Sequence, residues 1–141
     1  MKFCGNNNKF SVKYYENFEN DNEFAIVMEL CDENLLKFCR RKKQGFNFKE
    51  IYTLLSQLNN TFKIISENKI AHRDLKLENI LIKYENKEKD IIYTFKLTDY
   101  GISKRLLSLS KRFSSQVGTL NIMAPEILKG EKMIMNVIYG V

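Results

Sequence analysis

One stretch of this chain constrains its fold more than any other, because it has the clear period of an amphipathic helix. Asn47 is followed three residues later by Glu50, a capping-box pattern that predicts the first turn of a helix, and Asn68 is the predicted stop. A helix between these ends would be roughly 30 Å long, and its apolar stripe is predicted to face a core rather than a ligand. The stripe consists of Ile51, Leu54, Leu55, Leu58, Phe62 and Ile65.

The segments on either side of this helix predict strands and one shorter helix. Four of them have the composition of strands: residues 10–15, 24–30, 80–82 and 91–98. The Asn- and Asp-rich residues 16–23 predict a hairpin connection between the first two strands, and the charged residues 85–90 predict the tip of a second hairpin. Residues 32–43 predict a short helix. This mixture predicts an α+β fold.

The composition fits one modest domain. Of the 141 residues, 44% are hydrophobic, which is enough to bury a core. The formal net charge of +6 favours anionic partners, a class that includes ATP. The basic run at residues 40–43 is predicted to be a solvated face. No stacking-aromatic motif or basic face is visible, so nucleic acid is not a predicted partner.

The cysteines and the hydropathy pattern indicate in which cellular compartment the protein is expected. Cys4, Cys31 and Cys39 are odd in number and lack metal-ligand spacing, so a reducing compartment is predicted. No apolar run approaches the 18 or more residues of a membrane span, and the first residues lack the apolar core of a signal peptide. The expectation is a cytoplasmic protein, with the nucleus as the alternative, and no membrane partner.

A polar motif follows the long helix directly. Residues 72–79 read His-Arg-Asp-Leu-Lys-Leu-Glu-Asn, which resembles the H-R-D-L-x-x-x-N catalytic loop of eukaryotic protein kinases. Residues 99–101, Asp-Tyr-Gly, and 124–126, Ala-Pro-Glu, resemble the D-F-G and A-P-E landmarks of that family in the same order. The lysine two positions after the motif's Asp is similar to the serine/threonine branch. The chain therefore resembles an incomplete catalytic domain of that branch.

The resemblance implies a reaction and roles for individual residues. It implies an ATP-dependent serine/threonine protein kinase that transfers the γ-phosphate of ATP to a hydroxyl of a protein substrate, with ATP and Mg²⁺ as cofactors. Asp74 would be the base for that hydroxyl, and Lys76 would lie beside the transferring phosphate. Asn79 and Asp99 would offer oxygen ligands to Mg²⁺. Thr119 would help to orient Asp74 and the hydroxyl.

A nucleotide pocket is implied as well. Five residues would line it: Met28, Glu29, Cys31, Asn34 and Leu81. In the family's arrangement Met28 would close the back of the pocket, Leu81 would form its apolar floor, and Asn34 would lie near the ribose. Backbone groups of residues 29–31, the hinge, would hold the adenine. Without the resemblance, residues 24–30 would be interpreted simply as a core strand.

The resemblance also suggests a regulatory site. Ser115, which follows Ser114, stands four residues before Thr119, a spacing that resembles the family's activating phosphorylation site. A phosphate there would add about −1.5 to −2 charges and could pair with Arg73 and Lys104. The alternative is a pair of solvent-exposed serines.

The resemblance covers about residues 10–132, roughly half of a kinase domain. The chain is expected to be one partial protein-kinase-like domain, 1–141. It would comprise small-lobe strands and the start of the hinge (1–30), a partial helical lobe with catalytic loop and activation segment (31–132), and a divergent tail (133–141). Neither the Gly-rich loop nor the ATP-anchoring lysine has a counterpart, so the chain is expected to be weak or inactive alone. The alternatives are a non-catalytic remnant acting as scaffold or competitor, or a gene fragment that does not fold. A partner chain could cover its exposed core.

Overall fold

The computed structural model describes residues 8–87, 90–99 and 104–105. Strands and helices occur in mixed order within these ranges, which confirms the predicted α+β class. The predictions for Tyr100, Ser115, Thr119 and the Ala-Pro-Glu segment at 124–126 lie outside the described residues. Within the described part of the chain, no helix is both long enough and apolar enough to cross a membrane.

The chain begins with an antiparallel hairpin of β1 (Tyr14–Glu19) and β2 (Phe24–Met28). Asn20 closes the turn, because its Oδ1 accepts hydrogen bonds from the backbone N–H groups of Asn22 and Glu23 at 3.0 and 2.9 Å. The predicted hairpin is therefore confirmed. The hairpin carries exposed rings at Tyr15, Phe18 and Phe24. The partner chain predicted to cover exposed core residues stays a prediction.

The first strand differs from its prediction, because it begins at Tyr14 rather than at residue 10. The preceding residues pair elsewhere. The N–H of Val12 donates to the carbonyl of Leu97, and the N–H of Leu97 donates to the carbonyl of Phe10, both at 2.9 Å. The composition of residues 10–13 suits a strand, but their backbone partners lie far along the chain.

A short strand and a short helix follow. β3 (Glu33–Asn34) leads into α1 (Leu35–Arg41), where Asn34 is the N-cap and its Oδ1 accepts from the N–H of Lys37 at 2.9 Å. The helix begins three residues later than predicted because Glu33 and Asn34 pair with a strand of the sheet. Leu35 and Phe38 are its buried residues.

The long helix is α2 (Phe48–Glu67), with a complete capping box. Asn47 Oδ1 accepts from the N–H of Glu50 at 2.9 Å, and Glu50 Oε2 accepts from the N–H of Asn47 at 2.8 Å. The predicted stripe is only partly right, because Ile51 and Leu55 are 42% and 60% exposed. Among the described residues, α2 packs against the last strand of the central sheet, which covers one side of the helix.

The central sheet has three strands in the order β3-β5-β6, where β5 is Ile80–Lys87 and β6 is Asp90–Leu97. The antiparallel register places Ile82 opposite Phe95. The predicted second hairpin is confirmed, and its chain reversal lies within the predicted residues 85–90, but the strands are longer than predicted because pairing runs through to Lys87 and Asp90. Backbone pairing there outweighs the charged composition.

A short strand precedes the catalytic-loop motif, and a 3₁₀ turn forms the end of the motif. β4 (Ile70–Ala71) pairs with β7 (Lys104–Arg105), and a 3₁₀ turn at Leu77–Asn79 leads into β5. The motif therefore lies between α2 on one side and the central sheet on the other.

The core lies between the two helices and the sheet. Its buried apolar members are Leu35, Phe38, Leu58, Ile65, Ile80, Ile82, Phe95 and Leu97. Gln57 of α2 binds β6 by two hydrogen bonds: its Nε2 donates to the carbonyl of Tyr93 at 3.1 Å, and its Oε1 accepts from the N–H of Phe95 at 2.7 Å. β6 is an edge strand, so this side chain satisfies backbone groups that the described sheet leaves unpaired.

Candidate active site

Two residues of the predicted site have a left-handed backbone. Among the described non-glycine residues, Lys69, Arg73 and Asp99 have positive φ, with values of 54°, 68° and 60°. Arg73 directly precedes Asp74, and Asp99 is the predicted metal ligand. Such conformations cost about 1–3 kcal/mol each, persist only where the surroundings enforce them, and cluster at functional sites. The backbone is therefore bent at both acidic side chains of the predicted site.

Asp74 is buried and held by two other predicted site residues. The Nδ2 group of Asn79 donates to the backbone carbonyl of Asp74 at 2.8 Å and to its Oδ2 at 3.0 Å. The Nζ of Lys76 lies 2.7 Å from the same Oδ2. The hydrogen bond to Asp74 is the main cause that raises the pKa of Lys76. The 3₁₀ turn brings Asn79 back over the loop, so that three predicted site residues form one cluster.

Asp99 lies on the same side of the molecule. Its negative charge contributes to raising the pKa of Lys76 and partly offsets the lowered pKa of His72. The residue before it is fixed to both ends of the loop: the N–H of Thr98 donates to the carbonyl of Asn79 at 2.9 Å, and the carbonyl of Thr98 contacts His72 Nε2 at 2.8 Å. The end of β6 thus places Asp99 within electrostatic reach of Lys76 and His72.

His72 connects these two segments beneath the loop. A carbonyl can only accept, so Nε2 carries the proton toward Thr98 and Nδ1 is left to accept from the N–H of Asp74 at 3.4 Å. Burial lowers the pKa of His72, and the hydrogen bond to Thr98 opposes that shift. This histidine is therefore a neutral, hydrogen-bonded bridge between the catalytic loop and the end of β6.

The predicted hinge is anchored through a side chain. Met28 ends β2, and the next residue, Glu29, inserts its carboxylate between two lysines, 3.0 Å from Lys96 Nζ and 3.4 Å from Lys83 Nζ. Burial alone would raise the pKa of Glu29, but hydrogen bonds from Lys96 and from the N–H of Lys13, together with the charge of Lys96, lower it. Glu29 is therefore a charged residue fixed to the central sheet.

Sequence reasoning missed Lys83 and Lys96. Lys96 is only 4% exposed and also donates to the carbonyl of Lys9 at 2.8 Å. A lysine inside an apolar strand was the available signal, since a buried cation needs a partner. Its partner could not be identified from the sequence, because Glu29 is 67 residues away along the chain.

Backbone hydrogen bonds hold the predicted hinge at both ends. The N–H of Glu29 donates to the carbonyl of Lys13 at 2.8 Å, and the N–H of Asp32 donates to the carbonyl of Ile82 at 3.0 Å. Between them, Cys31 is half-buried, and burial followed by the charge of Glu29 raises the pKa of its thiol. The predicted hinge, residues 29–31, is thus fixed at Glu29 and again at Asp32, the residue that follows it.

Asn34 and Leu81 lie side by side. The register of β3 against β5 pairs them directly. Leu81 is half-buried, whereas its neighbours Ile80 and Ile82 belong to the core, so Leu81 projects from the opposite face of the sheet. The Oδ1 of Asn34 serves as the helix cap, which leaves its Nδ2 for the predicted ribose contact.

Arg73 is the described part of the predicted regulatory pair. Its side chain is half-buried, and burial lowers the pKa of the guanidinium. Ser115, its predicted partner, lies outside the described residues.

Comparison with known proteins identifies the family. The family model of the protein kinase domain matches residues 5–137. Over 120 residues the chain is 29% identical to the cell cycle serine/threonine-protein kinase CDC5/MSD2 of Saccharomyces cerevisiae, covering 85% of this chain and 16% of that protein. It is 30% identical over 117 residues to the serine/threonine-protein kinase polo of Drosophila melanogaster, covering 83% and 19%.

A third relative comes from a different group of kinases. Calcium-dependent protein kinase 4 of Plasmodium falciparum is 32% identical over 125 residues, which cover 84% of this chain and 22% of that protein. The chain spans less than a quarter of the length of each of these three relatives. With the family model matching nearly its whole length, this chain belongs to the protein kinase family.

Proposed function

We propose that this chain carries out or contributes to ATP-dependent phosphorylation of serine or threonine in a protein substrate. The observation that carries the proposal is the buried carboxylate of Asp74, held by Asn79 and Lys76 in a cluster that Asp99 joins from the end of β6. Protein kinases need such a carboxylate beside the acceptor hydroxyl, and oxygen ligands for the metal next to it. The similarity to serine/threonine kinases supports the choice of acceptor.

The donor set fits Mg²⁺. Asn79 uses its NH₂ group on Asp74, which leaves its Oδ1 as an acceptor for a cation, and Asp99 adds a carboxylate. Amide and carboxylate oxygens are ligands that Mg²⁺ prefers. When bound, Mg²⁺ and ATP would supply the phosphoryl group and neutralise its charge.

The chain's own residues would bind, orient and move a proton. Asp74 would accept the proton of the substrate hydroxyl. Lys76 neutralises Asp74 in the described structure and would turn toward the transferring phosphate as a compact cation. His72 would fix the position of the catalytic loop relative to the end of β6 through its hydrogen bond to the carbonyl of Thr98.

The same proposal includes the nucleotide pocket. Leu81 would support the adenine from below, and the backbone at residues 29–31 would hold its edge. The Glu29–Lys96 pair would keep that backbone in place. A thermal melt with and without Mg²⁺-ATP tests this part: we expect stabilisation by Mg²⁺-ATP, and an unchanged melting temperature at saturating nucleotide would contradict it.

The test of the reaction is phosphate transfer by Asp74→Asn. We expect transfer to a serine-containing protein to fall by roughly 10²–10⁴-fold, the range found for a lost general base. Asp21→Asn, the same change at an exposed position of the β1–β2 turn, is the matched control and should keep the activity. Wild-type transfer rates in folded Asp74→Asn protein would overturn the proposal.

A further inference from the structure

The net charge of this chain is concentrated in one segment. Residues 35–49 contain six basic residues and no acidic one, which leaves 17 basic and 17 acidic residues in the rest of the chain. The formal charge of +6 therefore belongs to α1, the connection after it and the first turn of α2. Positive charges concentrated in one segment either form structural contacts there or are available to bind a partner.

Part of this charge has a structural explanation. Arg41 pairs with Glu33 at 2.6 Å and donates to the hydroxyl of Tyr84 at 3.1 Å. Lys42 pairs with Glu50 of the capping box. Both cations also lie over the ring of Phe38, at 5.2 and 5.7 Å from its centroid. These two residues hold α1 to its neighbours.

The other four cations have no such explanation. Lys37, Arg40, Lys43 and Lys49 are exposed, and within the described residues none of them forms an ion pair. Lys49 lies in the first turn of α2, where the helix dipole disfavours a positive charge. We call these four residues the basic surface.

The helix that carries two residues of the basic surface contacts the catalytic loop. Lys37 and Arg40 are three residues apart on α1, on the side away from the buried Leu35 and Phe38. α1 packs against the 3₁₀ turn at Leu77–Asn79, whose last residue donates to Asp74. The helix that carries Lys37 and Arg40 is therefore a direct neighbour of the loop that contains Asp74.

We propose that the basic surface binds an acidic segment of the protein substrate. The substrates would then be proteins in which the phosphorylated serine or threonine lies near glutamate and aspartate. The inference rests on the proposed function for the identity of the partner. Complementary charge steers association and selects partners even where each exposed ion pair contributes little. An acidic protein is favoured over nucleic acid or a membrane because α1 contacts the catalytic loop, where a protein substrate would bind, and because Leu35 and Phe38 of α1 are buried in the core.

The test measures binding, so that it is independent of phosphate transfer. A fluorescent serine peptide flanked by glutamates is titrated with the whole chain, in parallel with the same peptide carrying glutamines. We expect the glutamate peptide to bind about tenfold more tightly, and the difference to disappear as the salt concentration approaches about 1 M. The triple variant Lys37→Gln, Arg40→Gln, Lys43→Gln should lose this preference.

The control variant removes the same charge elsewhere. Lys9→Gln, Lys63→Gln, Lys69→Gln changes three exposed lysines outside the basic surface and should keep the preference. Equal affinity for the two peptides in the wild-type chain, or loss of the preference in both variants, would overturn the inference. Tighter binding of duplex DNA or phosphatidylserine vesicles than of the glutamate peptide would also overturn it.

Failure of this inference and failure of the proposed function are distinguishable. A chain that phosphorylates glutamate and glutamine peptides equally, with equal affinity, keeps the proposed function and loses the acidic preference. A chain that prefers the glutamate peptide in binding but shows no Asp74-dependent transfer keeps the acidic docking surface and loses the reaction.

Discussion

Asn79 donates its side-chain NH₂ group to both the backbone carbonyl and the carboxylate of Asp74, at 2.8 and 3.0 Å. The two residues lie at opposite ends of the catalytic loop, and this double contact closes the loop on itself. The proposed base and one proposed metal ligand are therefore parts of the same small structure. Asn79→Ala removes both hydrogen bonds and should act on stability as well as on activity.

For Asn79→Ala we expect the free energy of unfolding to fall by about 1–3 kcal/mol, because two buried acceptors of Asp74 each lose a hydrogen bond. Urea denaturation followed by circular dichroism measures this change. Asn59→Ala, at an exposed position of α2, is the matched control and should leave stability nearly unchanged. Equal stability of the two variants would contradict the structural role of Asn79.

The buried state of His72 predicts a pH dependence of stability. Its pKa in the folded chain lies below the ordinary value of 6.5, so the unfolded chain binds a proton more readily. The contribution of His72 to the free energy of unfolding should therefore be fully present above pH 6.5. It should be lost as the pH falls from there toward the pKa of His72 in the folded chain. Urea denaturation at a series of pH values measures the slope.

His72 is the only histidine of the chain, so its effect on the pH dependence can be tested with a single substitution. In His72→Gln the slope around pH 6 should flatten, whatever the absolute stability of the variant. An unchanged slope in that variant would assign the pH dependence to other groups.

The two lysines that pair with the Glu29 carboxylate should contribute unequally to stability. Lys96 is buried, whereas the side chain of Lys83 is 40% exposed. We expect Lys96→Met to destabilise the chain by about 3 kcal/mol, since it leaves the Glu29 carboxylate with the partly exposed Lys83 as its remaining cation. Lys83→Met should cost about 1 kcal/mol or less. Thermal melts of both variants test the order, and a larger effect at Lys83 would contradict it.

The link between α2 and the sheet depends on one side chain. Gln57→Leu removes the donor to the Tyr93 carbonyl and the acceptor for the Phe95 N–H, so we expect a loss of about 1–3 kcal/mol. Gln44→Leu, at an exposed position after α1, is the control. If the two variants unfold at the same urea concentration, Gln57 does not stabilise the edge of β6.

Local signals were sufficient for the parts of the fold that depend on neighbouring residues. The capping box of Asn47 and Glu50 lies within four positions, so the sequence predicts the start of α2 correctly. The loop motif likewise contains Asp74 and Asn79 in one short segment, and the structure joins them by hydrogen bonds.

Contacts between distant segments could not be predicted in the same way. The pairing of residues 10–12 with Leu97 and the ion pair of Glu29 with Lys96 each join parts of the chain with no common local pattern. The exposure of Ile51 and Leu55 has a related cause. A helical period shows which residues share a face, but how much of that face is covered depends on the elements packed against it.

The central claim is that Asp74 and Asp99 face one site that accepts a metal-bound nucleotide. Isothermal titration calorimetry of ATP with the wild-type chain, Asp99→Asn and the control Asp21→Asn, each with and without Mg²⁺, tests it most directly. We expect Mg²⁺ to strengthen ATP binding in the wild-type chain and the control, and this strengthening to be lost in Asp99→Asn. The same dependence on Mg²⁺ in all three proteins would contradict the account.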